Sequence, residues 1–264
     1  MSQSADAADR LGAEVVVTSD AAAVEARLEA LREFAYGAGH EINNPLANIA
    51  TRAQALLVDE PDPERRRRLA AIVDQAFRAR DMIGGLMVFA RPPRAVQAAA
   101  DVHALVAAVI EAVRPVAVAR GVRLEYAPSP APVRAFVDAG HVTEALRILV
   151  LNALEAADAG GRVAIEAART PAGDACDVMI VDDGRGMDAE TLRRAFDPFF
   201  SGREAGRGIG LGLPKAWRLL AVGGGSVDVE SRPGRGTRII VRLPLADAEG
   251  GAPDLSAGRT AAAP

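Results

Sequence analysis

Between residues 21 and 57 the apolar side chains Leu28, Ala35, Ile42, Ile49 and Leu56 recur every seven positions, flanked by Leu31, Ala38, Leu46 and Ala53. Such spacing predicts a long amphipathic helix with a coiled-coil-like seam. Asp59-Glu60-Pro61-Asp62-Pro63-Glu64 then predicts a turn, with Asp62 as N-cap and Pro63 at the first position of a second helix. The stripe of that helix runs Leu69, Ile72, Val73, Ala76, Ile83, Leu86, Met87 and Ala90, and Arg91-Pro92-Pro93 stops it. The pattern is therefore a short polar segment over residues 1–20 and a helical hairpin over 21–92. Two helices alone bury little, so the stripe calls for a cover. A second copy supplies it most simply, giving a dimeric four-helix bundle.

After the diproline the period changes, which puts a domain boundary near residues 91–100. Helices are expected over 101–119, 138–157, 188–195 and 209–221. Strands are expected over 122–126, 134–137, 162–168, 177–182, 226–230 and 237–243. The chain is thus α+β: a helical hairpin, then over 101–245 a two-layer α/β sandwich built on one mixed sheet. The Ala-, Gly-, Asp- and Pro-rich tail 246–264 is expected to be disordered.

Composition narrows the picture only slightly. The 264 residues suit two modest domains, and 50% hydrophobic with 25% charged residues is a globular profile. Of the 31 cationic side chains only Lys215 is a lysine, and the net charge is −4, which argues against nucleic-acid binding. The single cysteine, Cys176, excludes an internal disulfide and reads as a small buried hydrophobe. No run of apolar residues has the length of a membrane span, and Val15-Val16-Val17 is too short for a signal-peptide core. The expected location is cytoplasmic.

Candidate chemistry lies in three places. His40-Glu41-Ile42-Asn43-Asn44-Pro45-Leu46 falls inside the first helix. At about 100° per residue, His40 stands about 200° from the seam residue Ile42 and so faces away from the hairpin core. Glu41 is adjacent, suited to orienting the imidazole or accepting its proton, and Asn44 lies one turn on, on the same face. Pro45 should bend the helix there. The second place is the pair of glycine runs, Asp182-Asp183-Gly184-Arg185-Gly186-Met187 after a strand and Gly206-Arg207-Gly208-Ile209-Gly210-Leu211-Gly212-Leu213 leading into a helix. Alternate glycines before a helix expose N–H groups that suit phosphates, and Asp182 can accept from the exocyclic amine of a purine. The third is Asn152, the polar position in an otherwise apolar helix, which we read as a Mg²⁺–phosphate ligand.

Together these motifs closely resemble the conserved boxes of two-component sensor histidine kinases, in particular the nitrogen-regulator type, from about residue 30 to 245. Residues 40–46 resemble the phosphoacceptor box and Asn152-Ala153-Leu154-Glu155-Ala156 the asparagine box. Residues 182–187 and 206–213 resemble the two glycine boxes, Phe196-Asp197-Pro198-Phe199-Phe200 the phenylalanine box, and residues 231–237 the strand-turn signature that follows. The resemblance implies a dimerisation and phosphotransfer hairpin followed by an ATP-binding domain of the Bergerat type. His40 would be the phosphorylated residue, with Glu41 and Asn44 beside it. Asn152 would hold Mg²⁺ and Asp182 the adenine. Gly184, Gly186, Gly206, Gly208, Gly210, Leu211, Gly212 and Thr237 would surround the nucleotide. Residues 199–206 would form a lid, with Arg203 or Arg207 reaching the γ-phosphate. The implied cofactors are ATP and Mg²⁺, and the implied partner is the receiver domain of a response regulator. One departure stands out: Ile148 occupies the position, four before Asn152, where the family usually carries a second asparagine. The alternatives are an ATPase of the same fold, which would lack the phosphoacceptor box, and a catalytically weak nucleotide-binding scaffold.

Overall fold

A computed structural model describes residues 17–18, 41–129, 131–200, 210–247 and 251–252. Helix α1 (41–58) runs through Pro45 without interruption. Helix α2 (Pro63–Ala90) starts where the sequence places it, with the Asp62 carboxylate accepting from the N–H groups of Glu64 and Arg65 at 2.8 and 3.2 Å and Pro63 in the first turn. His40 and the rest of the expected first helix lie outside the described residues. The inward positions of the hairpin are small or slender: Ala50, Ala53, Val73 and Ala76 are buried. The heptad stripe instead faces outward, with Ile42, Ile49 and Leu56 exposed by 38, 47 and 63%.

Packing reaches across the stretch before the diproline. Phe89, in the last turn of α2, is fully buried and belongs to the hydrophobic core of the second domain, with Val88 packed against it; Ala90 is buried as well. The hairpin thus feeds its last turn into the domain that follows.

That domain contains β2 (Ala98–Asp101), α3 (Val102–Arg120), β3 (Arg123–Pro128), β4 (Arg134–Val137), α4 (Ala139–Ala156), β5 (Arg162–Arg169), β6 (Ala175–Asp182), α5 (Ala189–Arg193), α6 (Gly212–Gly223), β7 (Ser226–Ser231) and β8 (Thr237–Pro244). With β1 (Val17–Thr18) the main sheet runs β1-β7-β8-β6-β5-β3, in which only β3 and β5 are parallel. β2 and β4 form a separate antiparallel pair. Alternation sets the faces. On β8, Thr237, Ile239, Val241 and Leu243 are buried, while Arg238 and Arg242 point outward to Glu230 and Asp177. The inner face packs with α3, α4 and α6 around Leu146, Leu149, Leu154, Ile180 and Leu220.

Three helices of this domain begin at aspartate caps, Asp101, Asp138 and Asp188, each accepting backbone N–H groups of its first turn. The end of α3 is tied to the end of α4 by Arg120, whose guanidinium donates to the Leu154 and Glu155 carbonyls at 2.8 and 3.3 Å. Among the described residues, α3 is the one helix long and apolar enough to cross a membrane, with a mean hydropathy of 1.8. Its Val102, Val106, Val109 and Val113 are buried in the domain core, the setting of an interior helix. Cys176 is buried as expected, and burial pushes its thiol up to about 11, so it stays protonated. The tail begins in contact with the domain: the Ala246 N–H donates to the Arg134 carbonyl, and its residues 248–250 and 253–264 lie outside the described residues.

Candidate functional site

Where β6 ends, the chain turns across the C-terminal end of α4 and faces the start of α6. These three elements and the β7–β8 turn enclose a cavity of about 600 Å³. Asn152 and Glu155 reach it from α4, Asp182 from the end of β6, Arg185, Gly186 and Met187 from the loop beyond. Gly210, Leu211 and Gly212 close it from the start of α6, and Thr237 from β8.

Asp182 is only 4% exposed. Its carboxylate accepts the Gly184 N–H at 2.9 Å, and the Thr237 N–H also points to it. Burial, the largest influence, raises its pKa above the usual carboxylate range; the two N–H donors oppose this and the neighbouring charge of Asp183 adds to it. A half-satisfied carboxylate at the floor of a cavity is an acceptor waiting for a ligand donor. The loop bearing it is interlocked with the β7–β8 turn. Met187 N–H donates to Ser231 Oγ at 2.9 Å, Ser231 Oγ donates to the Gly236 carbonyl at 3.0 Å, and Gly234 N–H donates to the Arg185 carbonyl at 2.7 Å. Gly236 has φ +79°, and a Cβ there would overlap the Asp182 carbonyl, so this crossing requires glycine.

At the opposite wall a second glycine permits contact. A Cβ on Gly212 would sit 3.2 Å from Asn152 Nδ2 and 3.6 Å from Ile148 Cγ2. Its absence lets the first turn of α6 lie directly over Asn152. The free N–H groups of that turn and the Asn152 amide therefore share one end of the cavity. Ile148, one turn before Asn152, is packed against the core and offers no oxygen. Among the described residues no group of three or more His, Cys, Asp or Glu side chains is placed to hold a metal by itself. The oxygens present at this end, Asn152 and Glu155, are of the hard kind that suits Mg²⁺ shared with phosphates.

Of the sequence candidates, Asn152, Asp182, Gly186, Gly210, Leu211, Gly212 and Thr237 all line this cavity. Gly184 does not; its N–H acts through Asp182 instead. Arg203, Gly206, Arg207 and Gly208 lie outside the described residues. At the base of that segment the Phe199 N–H donates to the Gly210 carbonyl at 3.0 Å, and Phe199 is the one non-glycine residue of positive φ, +64°, among the described residues. Glu41 and Asn44 are both exposed on α1, apart from the cavity. The sequence reading missed Glu155, Arg185 and Asp188 as cavity residues. For Glu155 a signal existed: it follows Asn152 by three positions, which places the two on one helical face.

A sheet with this strand order, carrying a nucleotide-sized cavity between a buried aspartate and a helix start, and preceded by a two-helix hairpin, defines a helical hairpin coupled to an ATPase-type domain. The comparisons agree. Residues 137–247 match the family model described as histidine kinase-, DNA gyrase B- and HSP90-like ATPase, and residues 30–94 match the His Kinase A (phospho-acceptor) domain. The chain is 30% identical over 227 residues to the sensor histidine kinase ZraS of Klebsiella oxytoca, covering 86% of this chain and 48% of that protein. It is 29% identical over 239 residues to the sensor-like histidine kinase SenX3 of Mycolicibacterium smegmatis, covering 87% and 62%. Full-length ShkA, solved in complex with AMPPNP, superposes with a TM-score of 0.71 at 25% identity over 84% of this chain and 46% of that one. Histidine kinase ThkA, solved with the response regulator TrrA, shares the fold at 20% identity, with a TM-score of 0.61 over 84% of this chain and 64% of that one. The chain belongs to the sensor histidine kinases. It spans about half the length of the ZraS relatives it matches.

Proposed function

We propose that this chain is a kinase core that binds ATP in the cavity, transfers the γ-phosphoryl group to His40 and passes it on to an aspartate of a response-regulator receiver. The observation that carries the reading is the pairing of a phosphoacceptor hairpin with a cavity whose buried Asp182 and α6 start suit the two ends of a purine nucleotide. In the transfer, one imidazole nitrogen of His40 attacks the γ-phosphorus, the bond from that phosphorus to the bridging oxygen breaks, and ADP leaves. Glu41 accepts or shares the proton of the other ring nitrogen. Asn152 would hold Mg²⁺, which when bound neutralises phosphate charge. Asp182 fixes the base and the first turn of α6 receives phosphate oxygens. Asn44, exposed one turn from His40, would place a water for hydrolysis of the receiver's phosphoaspartate.

The outward stripe of Ile42, Ile49 and Leu56 supports a homodimer built through the hairpin, and a cytoplasmic location belongs to the same reading. So does the nitrogen-regulator subtype, on the His40–Leu46 motif. Ile148 favours one rival, a weak nucleotide-binding scaffold. Incubation with γ-labelled ATP separates them: acid-labile, base-stable label that His40→Ala abolishes supports the kinase. Released phosphate without label indicates an ATPase, and neither indicates a scaffold. In the same assay Asn44→Ala should keep the label within a few-fold while slowing receiver dephosphorylation by about an order of magnitude.

A further inference from the structure

Helix α2 carries two adjacent glycines, Gly84 and Gly85, inside its helical run. Glycine weakens a helix interior, because it regains the most conformational freedom when the chain unfolds. The two glycines differ in what lies beside them. A Cβ on Gly84 would meet nothing within 4 Å, whereas one on Gly85 would stand 3.7 Å from Leu211 Cδ1 and 4.0 Å from Leu211 Cβ. Gly85 therefore faces the residue that precedes α6, and α2 packs along α6. Leu211 also lines the nucleotide cavity. Its side chain is buried, yet it stands outside the cluster that forms the core of the ATPase-type domain. Part of its cover is the α2 backbone at Gly85, which belongs to the hairpin. A branched side chain at that position would claim space that Leu211 fills.

We propose that Gly85 is a positioning residue of the nucleotide cavity: by leaving room for Leu211, it makes the hairpin helix α2 the outer support of the cavity wall at the start of α6. The inference rests on the nucleotide reading of the cavity and deepens it. Its consequence is a link between hairpin and nucleotide that a contact within one domain does not carry. A turn or slide of α2 against α6 shifts Leu211, and ATP affinity with it. By reciprocity, ATP binding favours the placement of α2 in which Gly85 and Leu211 meet.

The test is ATP affinity of the whole chain and its variants, measured by calorimetry with Mg²⁺ present, with denaturant melts to establish that each is folded. Gly85→Val should bind ATP about tenfold more weakly, the scale of an overpacked contact, because a β-branched side chain cannot turn fully away from Leu211. Gly84→Val, which points into open space, should bind ATP as the wild type does. In a Leu211→Ala background, which vacates the space, Gly85→Val should cost at most about twofold. A folded Gly85→Val chain of wild-type affinity would overturn the proposal. So would an equal loss in Gly84→Val, or an undiminished loss in the Leu211→Ala background. Should Gly85→Val not fold, the pair Gly85→Cys and Leu211→Cys decides. Its Cβ atoms would stand 4.0 Å apart, within disulfide reach, while Cys176 is buried and protonated. Oxidation should join the pair within one chain, and saturating ATP should speed the closure. No crosslink, or a rate that ATP leaves unchanged, would overturn the proposal. A wild-type chain that binds no ATP would instead overturn the reading of the cavity on which the inference rests.

Discussion

Replacing Asp182 with Asn changes one oxygen for an NH₂ group and almost nothing else in shape. In the wild type the carboxylate is 4% exposed and accepts the Gly184 N–H at 2.9 Å, with the Thr237 N–H directed toward it. The amide has a single acceptor atom. Either its NH₂ faces a backbone N–H, donor against donor, or it faces the ligand where an acceptor is needed. A hydrogen bond to a charged group contributes about 1.5–3 kcal/mol, so ATP affinity should fall by about 10- to 150-fold. Stability should move the other way. Burial raises the carboxyl pKa, so as pH rises above the ordinary aspartate value the folded state keeps a proton that the unfolded state has lost. Wild-type stability therefore falls as pH rises through that window and levels off above the folded pKa; Asp182→Asn lacks this fall. Calorimetric titration with ATP near neutral pH and denaturant melts across the acidic range measure both. Unchanged ATP affinity in a folded Asp182→Asn protein would refute the assignment of Asp182 as the base acceptor.

Gly236→Ala should cost about 2–4 kcal/mol in denaturant melts, since the methyl group meets the Asp182 carbonyl at a positive φ, and should weaken ATP binding because Asp182 moves with it. A loss below about 0.5 kcal/mol would show that the crossing yields easily. Glu144 bridges α4 and α6 through Lys215 Nζ at 2.8 Å and also accepts from Arg147 at 2.8 and 3.0 Å. Burial pushes its pKa up, but the hydrogen bonds and charges of Arg147 and Lys215 outweigh this and hold it below the ordinary glutamate value. Its stabilisation is therefore present above the unfolded pKa and lost as pH falls through the folded one. Lys215→Met should lower stability near neutral pH by about 1 kcal/mol and flatten that acid loss; parallel stability–pH curves for the two proteins would contradict it.

Features written in local chemistry were legible beforehand. Asp62 followed by Pro63 specifies a helix start by cap geometry alone, and β8 follows its alternation through Leu243. Asp182 was legible because it directly follows an apolar strand and precedes a glycine run. Elements that depend on a distant partner were not. Strand β2 is Ala98-Ala99-Ala100-Asp101, without a β-branched side chain, and it exists because β4 pairs with it. The two residues of β1 likewise pair only with β7. The heptad stripe announced a seam but not its direction: alanines fill the inner face of the hairpin, and the large residues turn outward. Gly184 and Gly186 look alike in sequence, yet one lines the cavity and the other holds Asp182 from behind.

The burial of Phe89 decides where this chain can be cut. A fragment begun at the diproline would keep both glycine runs and every cavity residue, but leave open the site that an intact phenyl ring fills in its core. Truncating a buried Phe typically costs about 3–5 kcal/mol, a large share of the roughly 5–15 kcal/mol that holds a domain folded. The domain is therefore expected to be more stable when cut before Phe89 than when cut at the diproline. Any chimera that joins it to another input must bring the last turn of α2 along, and it thereby inherits the rotational phase of that helix.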